Sequence, residues 1–272
     1  MKTHPILAKS SRGFTLIEAV VAIVITGVAG AMVALFARGP IQSYMDVAQR
    51  AELTDAADTA LRRMSRDIRL ALPNSVRITG GQTLEFLQTR TGGRYRAAIA
   101  NDGSGDALEF RAADTGFDVI GPGITMATGD QIVVYNLGMP GADAYEGNTS
   151  AAHNRRAYSG SAGTVSNVVV TSGDFPFESP GHRFQVVDTP VTYKCDLTAR
   201  TLTRYWNYPI TPVQPTAPEG RSARLADNVI GCAFNYAPGI TQRSGLVSMR
   251  ITLMQNNETV TLYHEVHVNN VP

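Results

Sequence analysis

Glu18 stands out first, as a single carboxylate set inside a long run of apolar side chains. An acid in hydrocarbon costs on the order of 2.5–3.5 kcal/mol on insertion scales, so an acid kept in such a run normally has a function. The residues leading to it read Arg12-Gly13-Phe14-Thr15-Leu16-Ile17. Gly13 has no side chain, so another backbone can approach it closely. Other constellations carry less. Asp102, Ser104 and Asp106 have the one-three-five spacing that opens a calcium loop, but Ala107 and Ala113 stand where an EF-hand needs Gly and Glu. A turn is the expected reading there, with calcium the weak alternative. His264 and His267 are three apart on an expected strand, so they face opposite sides and do not share a metal. Glu265 beside them does not complete HExxH, and there is no GxSxG, P-loop or GxGxxG followed by a suitable acid. The chain reads as a non-enzyme without a cofactor. Twenty-four basic against twenty-three acidic side chains leave +1, too little field to hold a polyphosphate, so nucleic acid is not an expected partner.

The elements that position Glu18 are legible around it. Residues 14–37 read FTLIEAVVAIVITGVAGAMVALFA, with one charge in twenty-four positions. A bilayer core needs about 20 apolar helical residues, so this stretch spans, and no other segment approaches its length. The thirteen residues before it hold Lys2, Lys9 and Arg12 and no acid. The positive-inside rule leaves that end in the cytoplasm and sends everything after Arg38 across the membrane. Ala29-Gly30-Ala31 is an acceptable site for an ordinary secretory cut, but the apolar run continues well past it. An ordinary signal also has no use for Glu18.

The ordered combination of basic leader, Gly13, Phe14, Thr15-Leu16-Ile17-Glu18 and apolar run resembles the class III processing signal of type IV pilins and type II secretion pseudopilins. The resemblance implies that a membrane-embedded prepilin peptidase cuts between Gly13 and Phe14, removing residues 1–13, and methylates the new amine of Phe14. Glu18 matches the acid that this superfamily keeps. The freed amine is a cation one helical turn from Glu18, so the acid of one subunit can pair with the amine of a neighbour. Pairing removes the cost of two lone charges in hydrocarbon and favours a staggered array of helices. Glu18 is then an assembly residue. The implied partners are the peptidase, other major and minor pilins through their N-terminal helices, and the inner-membrane assembly machinery.

Beyond the span, Arg38-Gly39-Pro40 predicts a kink or local unwinding at Gly39 and Pro40. Helical period then resumes: Leu53, Ala57, Leu61, Met64, Ile68 and Leu72 form one stripe, with Asp46–Arg50 and Asp58–Arg62 as i,i+4 pairs. Pro73-Asn74 should stop the helix. From residue 14 to 72 it would measure about 88 Å at about 1.5 Å per residue, its upper half buried in a membrane or filament and residues 38–72 continuing into the periplasm. Residues 73–272 read as a β-rich periplasmic head. Strands are expected over 83–88, 107–111, 131–137, 167–171, 183–187, 189–197, 201–206, 228–236, 246–254 and 259–268, mainly antiparallel because no helical crossovers separate them. The fold class is α+β and pilin-like, a long helix laid on antiparallel sheets.

Cys195 and Cys232, the only cysteines, fall in two of these strands and outside the cytoplasm, where bridges persist; two buried thiols are the alternative. A bridge would close about 38 residues and contribute roughly 4 kcal/mol on the chain-entropy model. Pro209, Pro212, Pro215 and Pro218 recur every third residue, the period of polyproline II, as a stiff connector or a partner-binding strip. Residues 138–163, including Arg155-Arg156, read as a mobile surface loop or a subunit contact.

The C-terminal half resembles a minor pilin-like group from mannose-sensitive haemagglutinin (MSHA) type IV pilus biogenesis. The matching strings are VTYKCD from Val191, LTRYW from Leu202, GCAFNY from Gly231 and HVNNVP from His267; LPNSVR from Leu72 and DGSGD from Asp102 fit as well. The resemblance implies a low-copy subunit that initiates or caps a retractile pilus used in surface attachment. A type II secretion minor pseudopilin of the J class, acting in protein export, is the alternative. A tip adhesin that binds sugar through Trp206, Tyr205 and Tyr208 is a third reading.

Overall fold

The computed structural model describes residues 13–110, 112–146, 153–239 and 244–272. Lys2, Lys9 and Arg12 lie outside these. The chain divides into two compact units, Met1–Ala51 and Glu52–Pro272. A single helix, α1 (Leu16–Ile68), contributes to both.

In the first unit α1 carries an 18-residue stretch of mean hydropathy 2.6 with none of it buried. Ile23 is 73% exposed and Phe36 80%. The helical run passes through Arg38-Gly39-Pro40 without a break, so the unwinding expected at Gly39 and Pro40 is absent. Pro40 removes only one backbone donor, and helix already propagating on both sides of it tolerates that loss.

The second unit buries every member of the stripe read from periodicity, Leu53, Ala57, Leu61, Met64, Ile68 and Leu72, with Ala60 beside them. The helix ends at Ile68, four residues short of the expected Leu72. Leu70 and Ala71 close tighter turns by donating to Asp67 and Ile68 carbonyls, and the chain is then captured by a strand. Leu72 donates to the Leu87 carbonyl at 2.7 Å, and Thr89 donates to that of Leu70 at 2.7 Å. Pro73 reinforces the exit, because the residue before a proline disfavours helical backbone.

Fourteen strands follow among the described residues: β1 (Arg77–Thr79), β2 (Thr83–Tyr95), β3 (Asp114–Ile120), β4 (Ile124–Met126), β5 (Gln131–Val134), β6 (Arg155–Ala157), β7 (Gly163–Val165), β8 (Asn167–Gly173), β9 (Arg183–Asp196), β10 (Thr201–Trp206), β11 (Arg221–Ala226), β12 (Val229–Ala237), β13 (Gly245–Gln255) and β14 (Glu258–Val268). A nine-stranded sheet runs β11-β10-β9-β2-β3-β8, with β1 on β2, β5 on β9 and β6 on β5. A second sheet is β12-β13-β14, and β4 pairs β7. Every strand pairing is antiparallel. The expected strand at 107–111 is replaced by one bridge at Phe110, because Leu108 and Glu109 donate instead to Arg96 and Asp114. Position 111 lies outside the described residues. Residues 138–163 are largely anchored where described: Ala142, Ala144, Tyr145, His153, Asn154 and Arg156 are buried.

One core joins α1 to both larger sheets, through Phe86, Tyr193, Leu202, Phe234, Met249, Ile251 and Val266 among others. A disulfide between Cys195 on β9 and Cys232 on β12 covalently links the two sheets. Asp67, near the end of α1, is buried and accepts from Tyr193 Oη and Arg204 Nε, each at 2.7 Å. Arg204 in turn lies 4.8 Å from the Trp206 ring centre. On the opposite face of β2, fully buried Glu85 accepts from Arg77, Thr192 and Tyr208. Arg77 also donates to the Thr211 and Pro212 carbonyls. These bonds hold the proline strip as a bent connector: Pro209 and Pro212 are exposed whereas Pro218 is buried, so the four do not line one edge.

Removing Arg204 would leave the buried Asp67 carboxylate to Tyr193 and to the exposed Arg63, whose Nε lies 3.3 Å from Oδ1. Arg204→Met should therefore lower the stability of this unit by about 3 kcal/mol, and Tyr193→Phe by about 1 kcal/mol. Urea unfolding of the intact mature protein, followed by near-ultraviolet circular dichroism, measures both.

Candidate processing and assembly site

The site is built at the first turn of α1. Thr15 is the last non-helical residue and Leu16 the first helical one, with Ala19 N donating to the Thr15 carbonyl at 3.1 Å. A helix start leaves backbone N–H groups without partners. Here two side chains supply them reciprocally. Glu18 N donates to Thr15 Oγ1 at 3.3 Å, and Thr15 N donates to Glu18 Oε2 at 3.1 Å. Thr15 Oγ1 also donates to Glu18 Oε2 at 2.9 Å. This is a capping box, in which Thr at the cap and Glu three residues on close the helix end. The sequence reading passed over it, although Thr15-Leu16-Ile17-Glu18 before an apolar run is its signature.

The box has three consequences. It keeps Gly13 and Phe14 outside the helix. Nothing lies within 4 Å of where a Gly13 side chain would begin, and Phe14 is 78% exposed. It also places the carboxylate at the positive end of the helix dipole, where an anion is favoured. Finally, both bonds to Glu18 use Oε2, leaving Oε1 without a partner among the described residues. An ionised carboxylate accepts at both oxygens, so Oε1 can take a further donor such as an ammonium.

The remaining candidates serve other purposes. Asp102 Oδ1 accepts from Ser104 N at 2.9 Å and Ser104 Oγ at 2.6 Å, which holds its carboxyl below the usual aspartate range. Asp106 Oδ2 accepts from Asn167 at 3.0 Å. Among the described residues no three His, Cys, Asp or Glu side chains gather to hold a metal. His264 and His267 lie on opposite faces of β14, half-buried and exposed respectively. The three aromatics of the proposed sugar platform do not act together. Tyr208 is buried with its hydroxyl 2.6 Å from Thr192 Oγ1, and Tyr205 and Trp206, adjacent on β10, face opposite sides.

Residues 8–34 match the family model described as the prokaryotic N-terminal methylation motif. No curated protein and no solved structure matches the chain. The motif match, with one apolar N-terminal helix, supports a pilin-like or pseudopilin subunit anchored by a single span, processed by a prepilin peptidase and assembled with other pilins. It points to a structural subunit rather than an enzyme.

Thr15→Ala removes the hydroxyl of the box and should cost about 1 kcal/mol at the helix start. Hydrogen exchange at the Ile17 and Glu18 amides of the micelle-bound protein should quicken, while amides beyond Thr26 keep their rates.

Proposed function

We propose that this chain is a minor pilin of an MSHA-like type IV pilus, of the MshO type, helping to initiate or cap the filament used for surface attachment. The observation that carries the pilin reading is the first turn of α1, where Gly13-Phe14 lies free of the helix and Glu18 keeps one acceptor open at the head of an exposed apolar span. Cutting at Gly13 creates a cation at Phe14 and leaves the span attached. In a bundle of such helices, Glu18 Oε1 of one subunit accepts from the amine of the next, and neither charge faces hydrocarbon alone. The β-rich Glu52–Pro272 unit is bulky for a subunit repeated at every position of a thin filament, which supports a low-copy role. The strings matching the MSHA group include those around both cysteines and around Trp206, which are structural in this fold.

Two other readings make different predictions. A J-class pseudopilin would act in export, and a tip adhesin would stack carbohydrate on Trp206, Tyr205 and Tyr208 as its main role. Deleting the gene should abolish pilus-dependent attachment and leave secreted enzyme activity intact; the reverse result identifies the pseudopilin. Mass spectrometry of the mature protein should find a chain beginning with methylated Phe14, whereas one beginning at Met32 would overturn the anchored reading. Glu18→Leu should leave the chain processed and membrane-bound but reduce its recovery in sheared filaments by about tenfold or more, because a lone ammonium in hydrocarbon costs upward of 2.5 kcal/mol. Filament levels equal to wild type would sink the pairing.

A further inference from the structure

The nine-stranded sheet has a notch. β2 runs along one edge of β9, while the other edge is shared by β10, opposite residues 191–196, and β5, opposite residues 184–187. Among the described residues, no strand lies beside residues 188–190 on that edge. A cavity of about 390 Å³ opens there, lined by Gln131, Arg155, Asp188, Thr189, Asn207 and Ile210 among others. A second cavity of about 330 Å³ shares Asp188 and Thr189 and extends to Trp206. Volumes of this size are those of small-molecule sites.

Arg155 is the unusual group. Its guanidinium is largely desolvated yet forms no ion pair, the Asp188 carboxylate of the same cavity lying beyond pairing distance. Nη1 donates to Gln131 Oε1 at 3.2 Å and Nη2 to the Glu146 carbonyl at 3.4 Å, while Nε is buried without a partner. All twenty-three acidic residues of the chain lie within the described residues, and none forms an ion pair with it. Burial accordingly pushes its pKa below the ordinary arginine value. By contrast Arg77, Arg90, Arg96 and Arg204, also drawn into this unit, each have a carboxylate partner. A half-buried cation without a counterion is costly to the protein alone and favourable to an arriving anion. Its planar fork matches a carboxylate, and Nη1 and Nη2 each keep one N–H unused.

The rest of the lining selects among anions. Asp188 is exposed and makes no side-chain hydrogen bond among the described residues, so it repels a doubly charged phosphate more than a singly charged carboxylate and is open to accept hydroxyls. Asn207 and Thr189 add polar groups, and Ile210 supplies an apolar floor. We infer that this notch binds an acidic saccharide, its carboxylate on Arg155 and its hydroxyls on Asp188 and Asn207, with a neighbouring sugar ring reaching toward Trp206. Nothing in this depends on filament assembly, so either reading can fail alone.

Trp206 is the one tryptophan in the chain, so its fluorescence reports on the adjoining cavity. The full mature protein in detergent micelles, titrated with tri-galacturonate, should show a saturable change. Methyl-esterified tri-galacturonate and neutral galactotriose should bind about tenfold or more weaker, the loss of one charge-assisted hydrogen bond. Arg155→Gln should do the same to the acid form, and Arg155→Lys should restore part of it. The ester comparison needs no variant, so it decides the matter even if substitution at Arg155 unfolds the protein. Absence of saturable binding, equal binding of ester and acid, or displacement by inorganic phosphate at equal concentration would each overturn the inference.

Discussion

An apolar helix surface left bare by its own chain has to be covered by something else. The span in α1 is exposed from its first turn, so water is not its solvent. Covering it with lipid, or with the same helix from other subunits, removes the largest unfavourable term in the molecule. Everything at the N-terminus follows from that constraint. A charge is tolerable there only where it sits at the helix start with hydrogen-bond donors around it, and Thr15 provides them for Glu18.

The Glu52–Pro272 unit answers a related problem with different means. Two carboxylates, Asp67 and Glu85, are buried on opposite faces of the large sheet, and each is surrounded by donors from distant parts of the chain. The strand period of two makes this possible: Tyr193 reaches toward α1 while Thr192, its neighbour on β9, reaches toward Glu85. Each carboxylate thereby fixes the position of a separate layer. Asp67 fastens the helix end to β9 and β10, and Glu85 fastens β1, the proline connector and the Tyr145 segment, where Arg77 lies 3.6 Å from the ring centre. Arg155 breaks the pattern, as a drawn-in charge without its complement.

Several elements were readable because their causes are local. The hairpin between β13 and β14 turns on Asn256-Asn257, both with positive φ, which Asn tolerates. The alternation of Val247, Met249, Ile251 and Leu253 placed them correctly in the core. Other elements were not readable. β11, Arg-Ser-Ala-Arg-Leu-Ala, shows no alternation and is mostly exposed; it is a strand because β10 offers an edge. β1 and β6 are three residues each and exist only as additions to longer strands.

The sequence alone determined the apolar span, the N-terminal methylation motif and the acid within it, since length, residue order and spacing act over a few turns of one segment. It also placed both cysteines in strands. Tertiary structure alone decided that α1 stops at Ile68, that 107–111 forgoes strand pairing, and that Asp67, Tyr193 and Arg204 meet. Asp67, Tyr193 and Arg204 are brought together from far along the chain, and the other two outcomes turn on which nearer backbone or carboxylate, Leu87 or Asp114, captures the segment; residue spacing encodes neither choice.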